Sequence, residues 1–192
     1  MSQINQIQEE LRQIEGGRFQ TLANQYLYRR YSLNNIIELG SQCGTDKTTT
    51  GVPDMYSVGE NGHYLFAAYT TSNSDIRNKL LNDAKDCLDR SKTGINPQLI
   101  DRIILCHTYF RLSPLVLEEV RAIDPRIEII GPETIASDLD GKYPALAHTV
   151  LGVPLGKGSF IAPDRFIERS LNDRFSTDLS VDFRSQPNTL SK

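Results

Sequence analysis

Apolar residues recur at helical spacing in the first thirty positions and at other periods afterwards. Ile4, Ile7, Leu11 and Ile14 form one stripe of an amphipathic helix. Gly16-Gly17 interrupts it, and Phe19, Leu22, Ala23, Tyr26 and Leu27 carry a second stripe to about Tyr31, which predicts two helices or one broken at the glycine pair. From residue 35 the pattern shortens. Asn35 to Gly40 suits a strand, Gly44 to Gly51 a Thr-rich turn, and Pro53 to Val58 a second strand. Asn61-Gly62 is a strong hairpin signal, and His63 to Thr71 returns as a third strand. Three antiparallel strands are expected.

The remainder alternates. Ser74-Asp75 offers a cap for a helix with apolar positions Ile76, Leu80, Ala84, Cys87 and Leu88. Asp101 to His107 contains a continuous apolar run suited to a strand buried on both faces. Ser113-Pro114 caps a helix reaching about Ile123, Arg126 to Ile130 reads as a strand, and Pro132–Leu139 and Pro144–Leu151 as short helices. The order α-β-β-β-α-β-α-β-α predicts an α/β fold, a mixed sheet flanked by helices. After Gly152 the pattern decays into glycine, proline and polar residues. The expected division is therefore a domain over 1–155 and a peripheral element and linker over 156–192, leading towards a domain absent from this chain.

Composition narrows the function. The chain has 192 residues, 39% of them hydrophobic, and a formal net charge of −3. That suits one soluble domain with a tail. No apolar run approaches the roughly 18–20 residues that span a bilayer. The residues from Met1 to Gln6 lack the blocks of a signal peptide, so a cytoplasmic protein without membrane contact is expected. Cys43, Cys87 and Cys106 are widely spaced and read as reduced thiols, neither a zinc site nor a disulfide framework. The mild acidity excludes a strongly basic nucleic-acid binder. Any nucleic-acid chemistry has to rest on local residues.

Those residues lie on the hairpin. Asp54 follows Pro53 at the start of the second strand, and the third strand reads Leu65-Phe66-Ala67-Ala68-Tyr69-Thr70-Thr71. Alternation puts Phe66, Ala68 and Thr70 on one face. A carboxylate on one hairpin strand, facing a polar position on its partner, is how an oxygen site for a hard cation such as Mg²⁺ is made. Such an ion activates water and offsets charge on a phosphodiester.

Pro53-Asp54 after the Gly44-Thr45-Asp46-Lys47 turn, followed by a strand ending Ala68-Tyr69-Thr70-Thr71, resembles the PD-(D/E)XK nuclease superfamily. With Ile14-Glu15-Gly16-Gly17-Arg18-Phe19-Gln20 and Gly51-Val52-Pro53-Asp54, the chain is similar to one branch, the N-terminal nuclease domain of bacterial antiphage STAND NTPases of the AVAST type. The resemblance spans roughly residues 10–155 and implies a restriction-endonuclease-like αβββαβ core. It further implies an Mg²⁺- (or Mn²⁺-) dependent DNA endonuclease, a double-stranded DNA substrate, and attachment to a larger NTPase that works as a homo-oligomer in antiviral defence.

One position departs from the pattern. The branch implies Glu-Tyr-Thr in the third motif, whereas Ala68-Tyr69-Thr70 stands here. The metal ligands implied are Asp54 and an acidic residue at 68, with Glu15 as the nearest other carboxylate. Alanine offers no oxygen, so the site as written is expected to be inactive. An isolated Ala68 with both flanks intact is what a deliberate inactivating substitution looks like. A naturally degenerate nuclease fold, serving as a binding or oligomerisation module through surfaces such as the Ile4-Ile7-Leu11-Ile14 stripe, is the alternative.

Three further residues complete the implied site. Gln20 falls where many superfamily members carry a first-helix Glu that reaches the metal-bound water; its other reading is a solvated polar position. Lys47 either supplies the charge of the usual motif lysine or is a solvated turn residue. Thr70 can donate one hydrogen bond but carries no charge. Asp46 is read as holding its turn. Arg77, Lys79 and Lys85 are interleaved with Asp75, Asp83, Asp86 and Asp89, which reads as a solvated helix face.

Overall fold

The computed structural model describes residues 2–39, 52–71 and 75–155. The elements below all belong to one compact unit, Met1–Pro154. Five strands stand side by side in chain order. β1 (Ile37–Glu38) pairs antiparallel with β2 (Met55–Val58), and β2 antiparallel with β3 (Tyr64–Thr70). β3 then pairs parallel with β4 (Ile100–His107), and β4 parallel with β5 (Ile127–Ile130). The chain is α/β, with a mixed sheet flanked by helices.

The parallel half needs crossovers, and α3 (Ile76–Leu88) and α5 (Pro114–Arg121) supply them. Both step the same way across the sheet, so a common crossover hand puts both helices on one face. There Phe66, Ala68, Ile103 and Leu105 pack with Leu80, Ala84, Cys87, Val116 and Val120. On the opposite face Met55, Ala67, Ile104 and Cys106 meet α1 (Gln3–Gln13), α2 (Gly16–Arg30) and α6 (Pro132–Gly141). The alternation of β3 thus sorts its side chains between two cores.

Several elements differ from the expectation. The first strand shrinks to Ile37–Glu38, both exposed. Asn61-Gly62 lies inside the longer loop 59–63, where Gly62 takes φ +77 and the Asn61 side chain accepts from His63 N and donates to Asp101. Between α3 and β4 run two short elements without a periodicity of their own. They are α4 (Arg90–Thr93), capped by Asp89, and a 3₁₀ turn Pro97–Leu99, capped by Asn96. The expected last helix divides into α7 (Pro144–Leu146) and a π-helical turn, Ala147–Leu151, that Gly152 ends at φ +74. Ile7 and Leu11 are fully buried and Ile4 packs on the same core. The α1 stripe, expected as an assembly surface in the alternative reading, therefore belongs to the chain's own interior. No helix among the described residues is long and apolar enough to cross a membrane. The expectations for residues 44–51 and 156–192 lie outside the described residues.

Candidate functional site

β2 begins one residue after Asp54, whose N–H donates to the Ala67 carbonyl (2.9 Å). Its Oδ2 accepts from Tyr69 N–H at 2.7 Å, so the carboxylate takes the place of a ladder carbonyl. The paired register of β2 and β3 ends at Met55↔Ala67, so Asp54 stands just outside it, with its carboxylate on the peptide that follows Ala68. Ala68 belongs to the face that α3 covers. Ala68 is only 2% exposed and brings nothing but a methyl group. Burial pushes the Asp54 carboxyl up to about 6, and the charge of Asp83 adds to this, against the Tyr69 bond and the charge of Lys79.

Charge interleaving along α3 suggests a solvated Asp83, and the structure corrects that reading. Asp83 is 2% exposed beneath β3. Its Oδ1 binds Lys79 Nζ at 2.6 Å, and its Oδ2 accepts from Thr70 Oγ1 at 3.2 Å. Burial raises its pKa in spite of the nearby Lys79 ammonium. The sequence holds the signal, since 76, 80, 83, 84 and 87 lie on one helical stripe. Elsewhere on α3 the solvated reading describes the exposed Arg77, which pairs with Glu119.

The row continues along the C-terminal ends of the parallel strands. Thr70 is in register with His107. His107 is buried, its Nδ1 lacks a hydrogen-bond partner, and burial pushes its pKa down to about 4 against the charge of Glu133. Gly131 begins the turn into α6 beside it. A Cβ there would stand 3.2 Å from His107 Cε1, so a side chain at this position would crowd the imidazole.

The remaining predicted residues are less closely joined. Gln20 lies on α2, over the opposite face, and is 3% exposed with its Nε2 unpartnered, which overturns the solvated reading. Asn24, one turn on, is equally buried, and its Nδ2 is likewise unpartnered. The Asn24 Oδ1 accepts from Tyr69 OH. Tyr69 thus ties the two faces together, its backbone to Asp54 and its phenol to α2. Glu15 is exposed at the start of α2, where its carbonyl accepts from Phe19 N–H. Lys47 and Asp46 lie outside the described residues.

A carboxylate pair across one sheet face suits a hard cation, but this set is incomplete. Among the described residues no cluster of three or more His, Cys, Asp or Glu is placed to hold a metal ion. Both Asp83 oxygens are already engaged, and Ala68 offers none. Cys87 and Cys106 are free and buried, and burial raises both thiols far out of the reactive range. Set against known protein families, curated proteins and solved structures, the chain matches none of them.

Proposed function

We propose that this chain is the DNA endonuclease effector domain of an antiphage defence protein, held inactive by Ala68. The observation that carries the reading is the Asp54 carboxylate at the start of β2, held on the Tyr69 N–H directly after position 68 of β3. A second carboxylate at 68 would stand close enough to share one hard cation with it. The helix–meander–helix–strand order, with β4 parallel to β3, supports the restriction-endonuclease-like core. The residues present do not fit Mg²⁺ or Mn²⁺ as they stand, because among the described residues no three His, Cys, Asp or Glu are placed to hold a metal ion and Ala68 offers no oxygen. Glutamate at 68 would supply one. The near-neutral net charge accords with a module kept silent in the cytoplasm until a larger NTPase assembles it, as a homo-oligomer, on double-stranded DNA. Alone it should bind DNA weakly and in a salt-sensitive way.

The test is Ala68→Glu, assayed on plasmid DNA with Mg²⁺ or Mn²⁺. Cleavage should appear, and a further Asp54→Ala should abolish it. Absence of cleavage in the restored chain, with its fold intact, would count against the nuclease reading and for a binding module.

A further inference from the structure

Building on the nuclease reading, we propose that the cationic group of the site is Lys79 of α3, held at its mouth by Asp83 and Thr70. The third motif of the wider superfamily carries a lysine two residues after its acidic position; the branch that this chain resembles has threonine there, as Thr70 is here. The Thr70 hydroxyl turns to Asp83, and the other Asp83 oxygen binds the Lys79 ammonium. A hydrogen-bonded chain therefore starts where a lysine is missing and ends on a lysine. Its anchor is buried, whereas the Lys79 side chain is 46% exposed. An ammonium held by one charge-assisted bond keeps donors free for an outside anion. The charge of Lys79 also acts on the Asp54 carboxyl, which places it within electrostatic range of the proposed centre. Arg77, two residues earlier, is unsuited to the role because two of its nitrogens bind Glu119.

Helix energetics do not account for Lys79. It is the fourth residue of α3, near the positive end of the helix dipole. Its partner lies four residues later, the weaker orientation for such a pair. Burying Asp83 merely to hold a surface lysine carries a desolvation cost. Fixing an ammonium near Asp54 is a reason to meet that cost. In phosphodiester hydrolysis a water oxygen bonds to phosphorus while the bond to the leaving sugar oxygen breaks. The water gives up a proton, and the sugar oxygen takes one up. Negative charge on the phosphoryl oxygens rises in between, and a fixed ammonium offsets it.

The experiment uses the full chain carrying Ala68→Glu, with plasmid cleavage as the readout and melting temperature as the check of folding. Lys79→Gln should slow cleavage by about 100-fold or more, and Lys79→Arg should recover most of the loss. Lys79→Gln combined with Asp83→Asn separates a positioning role from a structural one. If Lys79 serves only to neutralise Asp83, the double variant regains activity; the proposal expects it to stay as slow as Lys79→Gln. Full cleavage by Lys79→Gln, or loss with Lys47→Gln in its place, overturns the assignment and leaves the nuclease reading standing. Failure of Ala68→Glu itself removes both.

Discussion

Asp54 is held at a cost that its pH dependence should expose. Its carboxyl titrates near 6 in the fold against an ordinary 3.8. Between those values the folded chain binds the proton more tightly than the unfolded chain, so stability falls as pH rises through the window. Asp54→Asn keeps an oxygen for the Tyr69 N–H and carries no charge. It should raise stability at pH 7.5 by about 1–2 kcal/mol and change little at pH 4, as read by urea unfolding at both pH values. A loss at pH 7.5 would contradict the burial account. His107 works in the opposite sense. Its pKa falls from 6.5 to about 4, so its contribution to stability is lost as pH drops through that range. The two slopes oppose each other between pH 4 and 6. Removing Asp54 should therefore leave a curve that climbs more steeply with pH than that of the parent chain.

At the scale of elements, buried polar groups join helices that apolar packing alone would leave free to slide. Tyr26 on α2 donates to Asp138 Oδ2 on α6 at 2.7 Å, and Arg30 and Lys142 bind the same carboxylate. Tyr26→Phe leaves that buried oxygen short of a donor and should cost about 1–2 kcal/mol, whereas Tyr28→Phe, at an exposed position, should cost almost nothing in the same thermal melt. Leu80→Ala, beneath β3, should cost about 2–5 kcal/mol. The main elements are legible in the sequence because each announces itself locally. The break between α1 and α2 falls at Ile14–Glu15, directly before the Gly16-Gly17 pair that opens α2, and Ser113-Pro114 starts α5 with the Ser113 side chain accepting from Val116 N–H. The shared face of Phe66, Ala68 and Thr70 is legible for the same reason, being fixed by strand alternation. Asp83, Gln20 and Asn24 are not. A charged or amide residue on an apolar stripe looks solvated until the partner element is known, and that partner comes from far along the chain or from the other face of the sheet. α4 escapes detection because one turn held by the Asp89 cap has no period.

For the whole molecule, sequential strand order makes the sheet a ribbon that grows from β1 to β5, each strand adding beside the one before it. Its two faces draw on different parts of the chain. The α3 and α5 face closes as the crossovers form, because both helices lie between strands they cover. The other face depends on α1 meeting α6 and on Arg18 reaching the Val150 carbonyl at 2.9 Å, contacts between the two ends of the unit. A chain cut after Gly131 should keep β1–β5 in its sequence yet leave Ile7 and Leu11 uncovered, and should bind a hydrophobic dye and fail to melt cooperatively. The same closure has a consequence during synthesis. α1 leaves the ribosome before the rest of the unit, and residues that cover it follow more than a hundred positions later, a delay on the order of ten seconds at ordinary translation rates. Throughout that interval the nascent chain displays an apolar stripe that the finished protein hides. Of the helices in this unit, the one made earliest is among the last to be buried.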